Sequence, residues 1–126
     1  MASPVDSTIV FFGTADLDAT SHFYEGILGL PLVLDQGRCR IYRCSQDGFV
    51  GFCLRKEPVH GERAILTLVS DDVDGWADRL RDAGVELEKA PAHNDVYGIY
   101  HLFVYDPNGI LVEVQRFDDP RWADGP

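Results

Sequence analysis

One block of local signals appears twice along this chain, so any fold proposed for it has to be built twice. In the first half, Thr8 to Phe12 is β-branched and aromatic and stops at Gly13, as a buried strand does. From Asp16 the period changes: Leu17, Thr20, Tyr24, Ile27 and Leu28 recur at helical spacing, Asp16 stands where a cap belongs, and Gly29 ends the run. Strand-like segments follow over 31–35, 38–44 and 49–55, divided by Gln36-Gly37 and by Ser45 to Gly48. The order then restarts. Ala64 to Val69 reads as a strand, Asp71 and Asp72 open a helix with Val73, Trp76, Leu80 and Ala83 on one face, and Gly84 closes it. Three more strands are expected over 85–89, 97–105 and 110–116, with Asp106-Pro-Asn-Gly109 as the turn between the last two. Gly29-Leu-Pro-Leu32 matches Gly84-Val-Glu-Leu87 at an offset of 55, and Asp47-Gly48 matches Asn108-Gly109 at an offset of 61. A drift of six is absorbed in the connection after the second helix. Both halves carry the plan β-α-β-β-β.

Composition narrows the partners. Eleven Lys and Arg against 21 Asp and Glu leave a formal charge of −10, which repels nucleic acid and acidic bilayers at long range. The three cysteines, Cys39, Cys44 and Cys53, have no zinc spacing and their odd number does not suit a disulfide scaffold. The N-terminus lacks a basic segment leading into an apolar one, and no apolar run approaches the ~20 residues that span a bilayer. The expected compartment is the cytoplasm.

Asp16-Leu17-x-x-Thr20-x-x-Phe23-Tyr24 with Leu28-Gly29-Leu30, and the distal Phe103-x-Tyr105-Asp-Pro-Asn-Gly-x-Leu-Val-Glu113, resemble the vicinal oxygen chelate superfamily of glyoxalases, bleomycin-resistance proteins and extradiol dioxygenases. The resemblance covers residues ~7 to ~117. It implies an α+β fold with two βαβββ modules whose mixed sheets curl into a cup with helices outside, usually completed by a second subunit. On that basis the chain is one domain, with module one at 7–55, a linker at 56–62, module two at 63–117 and a tail at 118–126. Fold does not by itself assign function, because this superfamily hosts isomerisation, oxygenation, thiol addition and sequestration.

In the metal-dependent members, His, Glu or Gln side chains point inward from the first and last strands of each module. Counting from the helix starts places the first-strand positions at Ile9 and Ile65; the last-strand position of module two is Glu113 of the resembled motif, and the offset of 61 puts its module-one counterpart at Phe52. Three of the four are apolar. A divalent ion active in Lewis-acid or oxygen chemistry needs about three protein ligands, so no cofactor is expected and a divalent metal is disfavoured. A slip of one residue changes the sheet face, but Thr8, Val10, Ala64, Leu66, Gly51 and Cys53 are no better ligands.

A four-residue turn at Asp106 to Gly109 pairs Tyr105 with Ile110, hence Leu102 with Glu113, and puts Tyr100, Leu102, Leu111, Glu113 and Gln115 on one face. The same logic groups Cys39, Ile41, Arg43, Val50, Phe52 and Leu54 in module one. The expected ligand-binding set is Ile9, Phe11, Ile41, Arg43, Phe52, Leu54, Ile65, Tyr100, Leu102 and Glu113, with Thr67 beside them, an apolar and aromatic lining typical of small-molecule sites. Glu113 is the best catalytic candidate and the only residue at a metal-matching position. It can act as a ligand anchor, as an acid or base, or as a counter-ion, and its bland alternative is an exposed acid or one paired with Arg43.

The pairing parity sends His101 to the helix side as a structural residue, and His93 falls in a loop before Tyr97-Gly98, read as a solvated residue with a cover over the cup as the alternative. His22 and His60 carry no expected role, the cysteines are read as buried packing, and Trp122 is placed either in a loose tail or against a second subunit. The leading expectation is a dimeric, metal-independent small-molecule-binding protein holding an apolar or aromatic ligand, cationic ones included. The rival is an enzyme of the lyase, isomerase or dioxygenase kind, using Glu113 with further metal ligands such as His101 or metal-free acid and base chemistry. A filled cup with no cavity would instead mark an accessory subunit.

Overall fold

The computed structural model describes residues 3–56 and 64–122. Most of the expected linker, His60 within it, and the tail after Trp122 lie outside the described residues. The chain divides between Gly61 and Glu62 into two compact units.

Unit one runs β1 (Thr8–Thr14), α1 (Leu17–Ser21) continued by wider π-helical turns over His22–Ile27, β2 (Leu32–Asp35), β3 (Cys39–Arg43) and β4 (Gly48–Leu54). Asp16 caps the helix by accepting from the Ala19 N–H at 2.9 Å. The helix ends before Gly29, whose φ of 75° opens the turn into β2. The sheet order is β1-β4-β3-β2, with β1 parallel to β4 and the other pairs antiparallel.

β3 and β4 pair Ile41 with Gly51 and Tyr42 with Val50. Arg40, Tyr42, Val50, Phe52 and Leu54 therefore share the helix side. There Tyr24 lies 4.6 Å from Phe52 and 5.9 Å from Tyr42 between ring centroids, and the Ser21 and Tyr42 hydroxyls meet at 2.5 Å. Tyr24, Tyr42 and Phe52 are fully buried, each worth about 1.5–3 kcal/mol in area removed from water. Phe52 is thus core and Leu54 lies on the same side, which corrects their placement in the ligand set. The residues of β4 that share a face with Ile9, Phe11, Ile41 and Arg43 are Phe49, Gly51 and Cys53.

Unit two repeats the plan with β5 (Ile65–Val69), α2 (Val73–Asp82), β6 (Lys89–Asn94), β7 (Ile99–Tyr105) and β8 (Leu111–Phe117), in the order β5-β8-β7-β6. A short 3-10 turn, Pro120–Trp122, follows. Asp72 caps α2 through the Gly75 N–H at 2.9 Å, and Val73, Ala77 and Leu80 are its buried face. The strand expected over 85–89 forms over Lys89–Asn94 instead. The segment contains Pro91, but β6 is an edge strand with a register shift between Lys89 and Ala92, where a residue without an N–H is tolerated. His93 consequently sits in a strand opposite Tyr100, with ring centroids 4.7 Å apart, and not in a covering loop.

The β7–β8 hairpin decides which side chains share a face with Glu113. Asp106 donates its N–H to the Ile110 carbonyl at 2.9 Å, so only Pro107, Asn108 and Gly109 lie outside the ladder. Asp106 Oδ1 in turn accepts from the N–H groups of Asn108 at 2.8 Å and Ile110 at 2.7 Å, and Gly109 has φ 80°. That is a type I turn followed by a left-handed residue, one residue shorter than a four-residue loop. Tyr105 pairs with Leu111, and Phe103 with Glu113. Leu102 and Val104 then join Val112 and Val114 in the fully buried layer on the side covered by α2. Tyr100 shares that side and donates its hydroxyl to Asp74 of α2 at 2.6 Å.

Candidate functional site

The helix-free face of unit two brings together Ile99, His101 and Phe103 of β7, Glu113, Gln115 and Phe117 of β8, and Ile65 and Thr67 of β5. All but Thr67, together with Lys89, Asn94 and Tyr97, line a cleft of about 510 Å³. Ile65, Ile99, Phe103 and Phe117 give it apolar walls, Lys89, Asn94 and Tyr97 add polar groups to the lining, and its floor is a buried polar set.

Glu113 is 8% exposed and His101 3%. His101 Nδ1 stands 2.6 Å from Glu113 Oε2, and Thr67 donates its hydroxyl to Glu113 Oε1 at 2.8 Å. The Gln115 amide satisfies its surroundings with nitrogen toward the carboxylate, 3.1 Å from each oxygen. Three donors thus converge on one carboxylate, the arrangement that makes burial of a charged acceptor tolerable. His101 is held further by an edge contact with Phe103, at 5.0 Å and 71°. Its Nε2 is buried and has no hydrogen-bond partner.

Of the residues expected to bind ligand, Glu113 and Ile65 line this cleft. Tyr100 and Leu102 do not, because the three-residue turn rotates them to the helix side. Arg43 lies on the helix-free face of unit one, its guanidinium 4.7 Å over the Phe49 ring and donating to the Gln46 carbonyl. Ile9 and Phe11 share that face and are 41% and 52% exposed, while Ile41 is buried there. The four-residue turn also puts His101 on the helix side; with the shorter turn it is instead the partner of Glu113. Lys89, Asn94, Tyr97, Ile99, Phe103 and Phe117 were missed. The signal for Ile99, His101 and Phe103 was present in Asp106-Pro-Asn-Gly109, where a glycine closing a Pro-Asn turn marks a three-residue loop. Trp122 stacks on Phe117 of its own chain at 4.1 Å and 23°.

The four positions where the resembled superfamily holds metal do not fit an ion here. Ile9 and Ile65 carry no donor. Thr67 pairs with Glu113 in unit two as Phe11 pairs with Gly51 in unit one, so the counterpart of Glu113 is Gly51 and not Phe52. The Phe11 ring lies over Gly51 in the space that a side chain would need. Glu113 itself is engaged by Thr67, His101 and Gln115, and among the described residues no three His, Cys, Asp or Glu side chains converge.

The thiols of unit one are shifted by their surroundings. Cys39 faces Cys53 across the β3–β4 ladder, and burial followed by the hydrogen bond to Cys53 raises its pKa to about 11. Burial alone raises Cys44 to about 11. All three cysteines are free. No helix among the described residues is long and apolar enough to cross a membrane.

Comparison with known proteins places these observations. The model of the Glyoxalase/Bleomycin resistance protein/Dioxygenase superfamily matches residues 8–114. Among solved structures, an integron cassette protein from the mobile metagenome of the Halifax Harbour sewage outfall superposes with a TM-score of 0.76 at 22% identity, covering 88% of this chain and 97% of that one. A lactoylglutathione lyase from Agrobacterium tumefaciens gives 0.71 at 22% identity, over 90% and 96% of the two chains. A glyoxalase/bleomycin resistance protein/dioxygenase family enzyme from Burkholderia phytofirmans gives 0.75 at 22%, over 89% and 98%. At such identities the likeness carries the fold alone. No curated protein matches the sequence.

Proposed function

The chain belongs to the glyoxalase/bleomycin resistance protein/dioxygenase superfamily, and from that premise we propose that it is a metal-independent small-molecule-binding protein that holds an apolar or aromatic ligand over the Glu113–His101 pair. The observation that carries the reading is the cleft itself. Its volume of about 510 Å³, walled by Ile65, Ile99, Phe103 and Phe117 above a few buried polar groups, has the size and chemistry of a small-molecule site. A cationic ligand is less well served than net charge alone suggested. Glu113 is the one carboxylate among the lining residues, and its oxygens are already engaged by three donors.

The rival reading is an enzyme, and one observation favours it: an imidazole oriented by a buried carboxylate is acid–base equipment. Its metal-dependent form lacks support from the donor set described above. We place the protein in the cytoplasm, where three free thiols suit a reducing compartment, and take it to work as a homodimer.

Native mass spectrometry of untagged protein beside elemental analysis tests the whole reading. The expected result is a dimer without stoichiometric transition metal that retains or takes up an aromatic small molecule. A stoichiometric metal lost in Glu113→Ala would overturn it.

A further inference from the structure

Two of the three thiols stand opposite each other on the helix-free face of unit one. Cys39 of β3 is the cross-strand partner of Cys53 of β4, so both side chains leave the sheet on the same side. Beside them the Leu54 N–H donates to the Arg38 carbonyl at 2.7 Å, and a bond at that place makes Cys39–Cys53 a non-hydrogen-bonded pair, the closer of the two kinds in an antiparallel ladder. Cα atoms in such a pair are about 4.5 Å apart, inside the roughly 4.4–6.8 Å that a disulfide spans. A bond between the two sulfurs can therefore close without moving β3 against β4. Cys44 is too far away to take part: its N–H donates to the Gly48 carbonyl at 2.8 Å, about 16 Å along the strand from Cys53.

The two opposed sulfurs differ in access. Cys53 is half-buried whereas Cys39 is 9% exposed, so a reagent meets Cys53 first. Burial, followed by the contact with Cys53, raises the Cys39 thiol to about 11, while the charge of Arg55 pulls in the other direction. Once Cys53 carries a leaving group, Cys39 is held beside it, and that proximity makes up for its small thiolate fraction.

We propose that Cys39 and Cys53 form a reversible redox site, closed to an intrachain disulfide by low-molecular-weight disulfides and reopened by thiols. The Cys53 thiolate attacks one sulfur of the oxidant, forming a mixed disulfide and releasing one thiolate. Cys39 then gives up its proton and attacks Cys53 Sγ, which forms the Cys39–Cys53 bond and expels the second thiolate. Two protein thiols are oxidised, the oxidant disulfide is reduced to two thiols, and the two protein protons end on those thiols. The closed loop, residues 39–53, ties β3 to β4 and restricts the unfolded chain. In a reducing compartment the pair rests as a dithiol and closes when disulfides accumulate.

The test incubates the reduced full chain with 2-hydroxyethyl disulfide, removes the reagent, and counts thiols by iodoacetamide alkylation in urea. The expected product is a monomer lighter by two hydrogens, with only one of its three thiols still alkylated, and dithiothreitol should restore all three. Trypsin cuts after Arg38, Arg40, Arg43 and Arg55, so the oxidised protein should yield Cys39-Arg40 joined to peptide 44–55, with the alkyl group on Cys44. Cys44→Ser should oxidise as the wild type does, and Cys39→Ser should stop at a mixed disulfide on Cys53. The wild-type peptide map needs no variant to fold. Three alkylated thiols after the incubation, a bond that includes Cys44, a disulfide between two chains, or a wild-type product that stops at the mixed disulfide would each overturn the proposal.

Discussion

Removing Glu113 should unsettle unit two through the buried partners it leaves unpaired, and a double-mutant cycle with His101 isolates the share of one of them. The pair meets at 2.6 Å with side-chain exposures of 10% for Glu113 and 4% for His101, so water replaces little of what is lost. Leaving a buried hydrogen-bonding group without its partner costs about 1–3 kcal/mol, and more where a charged group is involved. Glu113→Ala belongs at about 3 kcal/mol on that scale, because Thr67 is an exposed residue that can turn its hydroxyl to water while His101 and Gln115 are stranded. A hydrogen bond to a charged group contributes about 1.5–3 kcal/mol, so the coupling between Glu113→Ala and His101→Ala should be about 2 kcal/mol. Urea unfolding followed by tryptophan fluorescence reads this in the right place. The chain has two tryptophans, Trp76 in α2 and Trp122 after β8, and both belong to unit two. A coupling below about 0.5 kcal/mol would refute the argument that the pair is a buried, mutually dependent unit.

Four other outcomes follow from the geometry. Phe52→Ala should cost about 3–5 kcal/mol in a denaturant melt, since the ring is fully buried against Tyr24; a cost below about 1 kcal/mol would return it to an open face. Tyr100→Phe removes an exposed bond to Asp74 on the helix side, so it should leave the uptake of an aromatic small molecule unchanged in native mass spectrometry, and a clear loss of uptake would mean the β7 register is wrong. Gly109→Ala forces a side chain into φ 80° and should destabilise by about 1–2 kcal/mol, measured as a shift in urea midpoint. Cys39 and Cys44, with pKa values raised to about 11, should alkylate with iodoacetamide at pH 8 about 100-fold more slowly than a thiol of ordinary pKa. The native state holds those protons while the unfolded chain releases them from pH 9.0 upward, so stability should be flat below that pH and fall as pH rises toward 11. A rising urea midpoint over that window would contradict the sign.

The two βαβββ blocks were legible because their signals are local. Asp16 and Asp72 cap helices wherever they stand before a periodic run, and Gly29 and Gly84, with φ of 75° and 80°, end them by a backbone preference that needs no tertiary context. The hairpin glycines and the apolar alternation of β7 and β8 are of the same kind. Pro91 shows where local reading stopped: only the position of β6 at the sheet edge makes a strand there acceptable.

The site depended on something the residue order expresses weakly. Strand side chains alternate with period two, so one residue more or less in the Asp106–Ile110 turn exchanges the two faces of β7. His101 and Leu102 are neighbours of opposite fate: one is the partner of Glu113, the other is buried under α2. Module one carried the same slip, which offered Phe52 where Gly51 under the Phe11 ring stands. The sequence by itself determined the repeated architecture and the scarcity of metal donors, because both follow from residue identity and local periodicity. Only the tertiary structure decided that Glu113 is closed by Thr67, His101 and Gln115, since those contacts join three strands and exist only once their registers are set.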